Sequence, residues 1–357
     1  MDNYAKARLE SIHSQTYDYL LERFLEEEKK KKMMSKKLFP YIKRQTPRDL
    51  TVRQLVHAFD LIPGNKEQAY GELFRRIMED VDPATQQFYT PFTKYAHRYA
   101  HHDRYSNIKT NALHRVKVTP WKELDTDYIN ASWVSNSEIV GQAPPHSAMS
   151  QFWKMVYEYG DNIVMLTPLY EQGKIKADQY WPFTDDQNPE PTLDFGDLKV
   201  TLLEEENYGF MKHLVIRRLL ITPKDSNRSP REVYHFHYTA WPDHGTPENI
   251  EDLKRLIDIC INNNKEPDQE TKEKEDKNIK TTIVHCSAGI GRSIMFTLGL
   301  WLRRRVLQLP QVPLTVFEVK EKMQVLRSRR PGAFNRDLVH GMFAFHMAYT
   351  LENTNQD

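Results

Sequence analysis

Thr281, Thr282, Ile283 and Val284 run directly into His285-Cys286-Ser287-Ala288-Gly289-Ile290-Gly291-Arg292-Ser293, and these into the apolar run Ile294-Met295-Phe296-Thr297-Leu298. The first group reads as a buried strand and the last as a helix, so the small and polar residues between them must turn the chain. A strand, a small-residue loop and a helix start in that order form an anion cradle. Gly289 and Gly291 allow a sharp turn with successive N–H groups inward, and the helix N-terminus adds its positive end. A cysteine at the mouth of this cradle feels the same field, which favours thiolate over thiol. Cys286 is therefore expected to titrate well below the ~8.5 of a free thiol and to act as a nucleophile. Arg292, six positions on, can hold two oxygens of a tetrahedral dianion with its planar fork, where a lysine would offer a point charge.

The other cysteine reads as packing. Ile250, Leu253, Leu256, Ile257, Cys260 and Ile261 share one helical face. Two cysteines in 357 residues build no disulfide framework, and the sequence shows neither a signal-like stretch nor an apolar run of membrane-spanning length. The expectation is a cytoplasmic, reducing compartment with no integral membrane segment. With 50 Lys and Arg against 49 Asp and Glu, whole-molecule charge gives no affinity for nucleic acid, although a local basic patch would not appear in that sum. The chain is long enough to bury roughly three-quarters of its unfolded surface, as one large domain with an appendage or two medium ones.

Residues 1–66 differ from the rest and are expected to form a charged helical extension. Tyr17, Leu20, Leu21, Phe24 and Leu25 fall at helical spacing, and acids precede bases in Glu26-Glu27-Glu28-Lys29-Lys30-Lys31-Lys32. Residues 1–50 hold 12 Lys and Arg against 8 Asp and Glu, a balance that fits a weak acidic partner or, more simply, a solvated helix on the main domain. From Thr51 a second helix places Val52, Leu55, Val56 and Phe59 on one face and stops before Pro63-Gly64. Residues 67–357 read as a mixed α/β domain. Strands are expected at 162–166, 198–203, 212–222, 232–238 and 281–284, and helices at 248–262, 293–309, 315–326 and 336–351. The polar segment 262–278 is expected to be a mobile surface loop.

The motif His285-Cys286 followed by Arg292-Ser293 resembles the signature of the protein tyrosine phosphatase family, tyrosine-specific, cysteine-dependent and of non-receptor type. The resemblance extends in order and spacing from about Glu67 to the C-terminus. It implies an α/β (α+β) fold with a central, highly twisted mixed β-sheet flanked by α-helices. Trp241-Pro242-Asp243-His244-Gly245, after Val233-Tyr234-His235-Phe236-His237-Tyr238, is similar to the family's mobile acid loop and makes Asp243 the general acid. Asp103-Arg104-Tyr105-Ser106-Asn107-Ile108 resembles one wall of the phosphotyrosine pocket, where Tyr105 would stack on the substrate ring and set the depth that excludes phosphoserine. Arg115-Val116, Asp127-Tyr128-Ile129-Asn130-Ala131 and the run 142–167 match as well, the last as core. Glu171 is implied to hold the Arg292 fork, with Lys176 on the same supporting loop. The loop amides of Ser287, Ala288, Gly289, Ile290, Gly291 and Arg292 would hold phosphate oxygens, and His285 and Trp241 would support the site.

Departures from the family pattern bear on turnover. Where a glutamine usually positions the hydrolytic water, this chain has Asn335, and a second glutamine is replaced by Val339. An ångström of displacement in that water can cost on the order of 100-fold. Asn107 replaces an aspartate that grips the substrate backbone, a loss of about 1 kcal/mol of charge-assisted hydrogen bonding. Ala143 and His102 replace a usual Gly and Lys and are expected to be tolerated. The expected activity is hydrolysis of phosphotyrosine on proteins through a phosphocysteine, with Ser293 stabilising the departing thiolate and neither metal nor cofactor required. The alternatives are a slow or substrate-trapping phosphotyrosine binder, motivated by Asn335 and Val339, and a lipid or nucleotide phosphatase using the same chemistry.

Overall fold

The computed structural model describes residues 51–60, 99–123, 125–183, 191–243, 245–263, 280–334 and 338–353. Its strands sort by how their polar residues alternate. β1 (Arg115–Lys117) and β2 (Tyr128–Trp133) precede β3 (Glu138–Gly141), β4 (Asn162–Met165) follows, and β11 (Thr282–His285) comes last. β3, β4 and β11 are buried at every position, as strands covered on both faces must be. Ile283 pairs with Ile139 on one side and with Ile163 on the other, both in parallel register. The remaining sheet strands are β7 (Thr192–Asp194), β8 (Leu198–Asn207), β9 (Leu214–Pro223) and β10 (Arg231–Tyr238).

Among the described residues these form one nine-stranded sheet in the order β1-β2-β3-β11-β4-β10-β9-β8-β7. β3, β11, β4 and β10 run parallel at its centre, and the flanking pairs are antiparallel. The result is a mixed, twisted α/β sheet flanked by helices. Four strand C-termini therefore lie side by side at one edge, the place where open α/β sheets bind ligands. A separate hairpin, β5 (Tyr170–Glu171) and β6 (Lys174–Ile175), replaces the loop expected around Glu171 and Lys176. Its turn places Gln172 and Gly173 in left-handed backbone, φ 49° and 74°.

β8 continues to Asn207, past the expected end at 203, although Glu204, Glu205 and Glu206 are polar. A register shift between Leu202 and Glu204 re-aims the strand, and cross-strand ion pairs then stabilise it: Glu205 with Arg217 at 2.6 Å and Glu204 with Arg218 at 3.2 Å. β3 was not evident from its sequence because its apolar content is short. Glu138 is nonetheless buried there, accepting from the Ser135 and Ser137 hydroxyls.

The chain divides into two compact units. The unit of Phe88–Leu300 and Leu326–Asn335 holds the sheet. In it, helix α2 (Met149–Tyr159) buries Phe152, Trp153, Met155 and Val156 together with Lys154, which pairs with Asp125 at 2.6 Å and Asp197 at 2.7 Å. Helix α3 (Ile250–Asn263) buries Leu253, Leu256, Ile257, Cys260 and Ile261 on one face. Helix α4 (Arg292–Gln308) starts here, at the end of the loop after β11. The second unit comprises Met1–Gln87, Trp301–Val325 and Arg336–Asp357. Its helix α1 (Val52–Asp60) begins with a capping box, in which the Thr51 N–H donates to Gln54 Oε1 at 2.9 Å and the Gln54 N–H to Thr51 Oγ1 at 3.2 Å. Thr315 and Glu318 repeat that arrangement at the start of α5 (Val316–Arg329), and Thr51 and Thr315 form a β-bridge. Helix α6 (Leu338–Asn353) packs against α1.

The expected helix near 17–32, the boundary at 66 and 67, and nearly all of the segment 262–278 lie outside the described residues. Among the described residues no helix is long and apolar enough to cross a membrane.

Candidate active site

Each of the four parallel strands delivers part of one site from its C-terminal end. β3 leads to Gln142 and Ala143, β4 to the β5–β6 hairpin, β10 to Trp241 and Asp243, and β11 to Cys286. The loop after β11 is held from behind, one carbonyl at a time. The Cys286 carbonyl lies 3.2 Å from His285 Nδ1, and the Ser287 carbonyl accepts from the Ala143 N–H at 3.0 Å. Arg330 donates to the Ala288 and Gly289 carbonyls at 3.2 and 3.1 Å, and the Gly291 carbonyl accepts from the Met295 N–H at 3.1 Å inside α4. In a trans peptide the C=O and N–H point in opposite directions. Tying back these carbonyls therefore turns the N–H groups of Ser287, Ala288, Gly289, Ile290 and Arg292 the other way, and the Gly289 N–H donates to Cys286 Sγ at 3.3 Å.

Gly289 is indispensable to that geometry. Its φ is +70°, and a Cβ there would stand 2.1 Å from the Gly141 carbonyl oxygen. Gly291, expected to share this role, is not in left-handed backbone; α4 begins one residue later and absorbs the turn. Burial raises the Cys286 thiol's pKa. Against it act the Arg292 charge, the Ser293 hydroxyl and backbone, and the Gly289 N–H, and together they hold the thiol below its ordinary range. Ser293 Oγ is buried without a hydrogen bond of normal geometry to any other group, so its proton is available to the sulfur.

Arg292 is 2% exposed, and both terminal nitrogens of its fork have partners. Nη1 donates to Glu171 Oε2 at 3.3 Å and to the Trp241 carbonyl at 2.8 Å, while Nη2 donates to Asp243 Oδ1 at 3.3 Å. Asp243 has further partners: its N–H donates to Glu171 Oε1 at 2.7 Å, and its Oδ2 is paired with Lys176 Nζ. One hairpin thus grips both Arg292 and the acid loop. The loop closes on itself as Trp241 Nε1 donates to the Gly245 carbonyl at 3.0 Å and the Gly245 N–H to the Pro242 carbonyl at 3.2 Å.

Ser287 Oγ donates its one hydrogen to the Lys176 carbonyl at 2.6 Å, so the Tyr105 hydroxyl, 2.7 Å away, must donate to it. Tyr105 therefore stands over the start of the cradle. Its segment is fixed by Asp103, which accepts from the Tyr128 hydroxyl and from Asn130 Nδ2 at 2.6 and 2.8 Å, while Asn130 Oδ1 accepts from Arg330 at 2.8 Å. Arg104 donates to the Ala143 and Pro144 carbonyls, both at 3.1 Å. Asn107 is exposed, and Ala143 and His102 are buried, burial lowering the pKa of His102. Asn335 and the side chain of Val339 lie outside the described residues. Ahead of them Gly332 at φ 87° and Phe334 at φ 53° lie in left-handed backbone, which only Phe334 adopts at a steric cost.

Sequence reasoning missed Arg330, Tyr180 and the inward role of His235. Arg330 is wholly buried, and the charged run Arg327-Ser328-Arg329-Arg330 ahead of Pro331-Gly332 carries no signal of it, since such a run reads as exposed. Tyr180 lies between His235 and His285, its hydroxyl 2.9 and 2.6 Å from their Nε2 atoms.

A family model described as protein-tyrosine phosphatase matches residues 99–343. Tyrosine-protein phosphatase 2 of Dictyostelium discoideum is 34% identical over 173 residues, 48% of this chain and 40% of its own length. Phosphatidylinositol phosphatase PTPRQ of Homo sapiens is 33% identical over 201 residues, 54% of this chain and 8% of its own. The chain thus spans less than half the length of these curated relatives. The solved structure of PTPN18 in complex with HER2-pY1196 phosphor-peptides superposes with a TM-score of 0.69 at 20% identity, covering 85% of this chain and 100% of that one.

Proposed function

This chain belongs to the protein-tyrosine phosphatase family, and from that premise we propose that it hydrolyses phosphotyrosine on proteins through a phosphocysteine intermediate, as a non-receptor-type enzyme of the cytoplasm. The observation that carries the reading is that Arg292 touches the acid loop at Trp241 and Asp243 while its charge acts on Cys286 at the centre of the inward-turned amides. In the first step the Cys286 thiolate attacks phosphorus, the P–O bond to tyrosine breaks, and Asp243 gives its proton to the leaving oxygen. Arg292 and the loop amides hold the equatorial oxygens. An arriving dianion competes with Asp243 for Arg292 Nη2, so binding frees the acid from that cationic partner. In the second step water attacks phosphorus, the P–S bond breaks, Asp243 takes the water proton, Asn335 orients the water and Ser293 receives the thiolate. Tyr105 sets the depth of the aryl pocket and Asn107 meets the peptide at its rim. Residues 1–66 are proposed as an extension outside the catalytic domain, with an acidic partner as one use of their positive charge.

The test is phosphate release from a phosphotyrosyl peptide under reducing conditions. Release is expected to fall by four or more orders of magnitude in Cys286→Ser, on the order of what loss of a nucleophile costs. Unchanged release in that variant would refute the reading. One relative is a phosphatidylinositol phosphatase by name, so a phosphoinositide belongs beside the peptide in the assay, and faster release from the lipid would replace the substrate class while leaving the chemistry. The trapping alternative, a burst of tyrosine product followed by almost no turnover, finds no support in the described residues.

A further inference from the structure

Behind Cys286 a line of buried polar groups runs across the sheet and has no part in the proposed chemistry. Arg217 on β9 is wedged between Glu205 on β8, whose Oε2 accepts from Nε at 2.6 Å, and the Trp181 ring, 4.8 Å from its guanidinium carbon. Its Nη1 lies 3.4 Å from His235 Nδ1 on β10. His235 Nε2 is 2.9 Å from the Tyr180 hydroxyl, that hydroxyl is 2.6 Å from His285 Nε2, and His285 Nδ1 is 3.2 Å from the Cys286 carbonyl oxygen. Tyr180, His235 and His285 are fully buried.

The two ends of this line dictate its direction. An arginine can only donate and a carbonyl can only accept. His285 must therefore carry its hydrogen on Nδ1, which leaves Nε2 to accept from the Tyr180 hydroxyl. The tyrosine oxygen then accepts from His235 Nε2–H, and His235 Nδ1 accepts from Arg217. Every donor points toward Cys286, so the bonds polarise one another in the same sense.

We propose that Arg217, with Glu205 behind it, is a positioning residue for the nucleophile's loop: through His235, Tyr180 and His285 it selects the tautomer that ties back the Cys286 carbonyl and so turns the Ser287 N–H toward the bound anion. The inference rests on Cys286 being the nucleophile. A proton added to His235 would set its Nδ1–H against the Arg217 N–H, and one added to His285 would set its Nε2–H against the Tyr180 O–H, so either places donor against donor and breaks the line. Burial opposes this, holding His285 at about 3 and His235 well below its ordinary value; Arg217, His237 and His285 act in the same direction on His235, and His237 and Arg104 on His285, where the hydrogen bond to the Cys286 carbonyl acts against them. Around the sulfur itself the facing groups are Arg292, Ser293 and the Gly289 N–H.

Nitrogen-15 NMR of the histidine rings in the intact chain reads the tautomers, and alkylation of Cys286 by iodoacetamide against pH reads its thiolate. The wild type should show Nδ1–H at His285 and Nε2–H at His235. Arg217→Met keeps a stem against Trp181 and removes the donor. It should mix the His235 tautomers, raise the alkylation midpoint by about half a pH unit, and lower kcat/KM by about 10-fold, the scale of lost support behind a reacting group. Arg217→Lys should restore most of each. The Nε2–H tautomer at His285 in the wild type, or unchanged tautomers and midpoint in folded Arg217→Met, would overturn the proposal. If Arg217→Met does not fold, the wild-type tautomers decide. Correct tautomers without phosphatase turnover would retire the proposed function and leave the relay standing; wrong tautomers in an active enzyme would do the reverse.

Discussion

The cradle around Cys286 and the acid loop around Asp243 both manage charge, by opposite means. The cradle is built from backbone carbonyls tied back by groups with almost no exposure, Arg330 and His285 among them. The acid loop is held by its own hydrogen bonds and, at its tip, by ion pairs of Asp243 with Lys176 and Arg292, and the Asp243 side chain is 23% exposed. Buried hydrogen bonds to fixed carbonyls have no substitute when lost, whereas ion pairs at a partly open rim exchange with water and salt. The difference suits the two tasks proposed for these regions. A site for a transition-state dianion gains from being set in advance, and an acid that must be delivered needs partners it can leave.

The sharpest way to separate the two regions is Asp243→Asn. It should lower kcat on phenyl phosphate by about 10² to 10⁴-fold and much less on a nitrophenyl phosphate, whose leaving group needs no proton. Equal losses on both substrates would mean that Asp243 is not the acid. Arg330→Met attacks the other region and should cost about 100-fold whatever the leaving group, since it releases two peptide planes of the oxyanion site. It should also destabilise the fold by about 1–3 kcal/mol through orphaned carbonyls, read by denaturant melts. Lys176→Met removes one tie on the acid loop and should cost about 10-fold in kcat, with weaker dependence on ionic strength than the wild type because a screenable pair is gone. A salt dependence identical to wild type would refute the exchangeable character of that loop.

A separate prediction concerns stability against pH. Burial depresses His285 to about 3 and His237 to about 4 from an ordinary 6.5. Below 6.5 the unfolded chain takes up protons that the folded chain refuses, so this stability is complete above 6.5 and drains as pH falls through 4 toward 3. Thermal melts should show the midpoint falling across that window, and less steeply in His237→Gln.

The cradle was legible because its residues are contiguous: a strand, a turn and a helix start written in one stretch from Thr282 to Arg292. Even there only one of two glycines proved to need its freedom, because the decisive contact, Gly289 against the Gly141 carbonyl, comes from another strand. Groups that act across the sheet left little trace. Arg330 reaches Ala288 over 42 positions, and Tyr180 reaches His285 over 105, distances over which no periodicity carries information. β8 was read too short for a related reason. Glu204 and Glu205 look like the end of a strand until Arg218 and Arg217 are seen opposite them.

Rapid-quench mass spectrometry during turnover of a phosphotyrosyl peptide tests the central claim most directly. The account predicts a transient peptide heavier by one phosphoryl group, with the adduct on Cys286 and absent from Cys286→Ser. Steady phosphate release with no such adduct at any quench time, or an adduct on another residue, would contradict it.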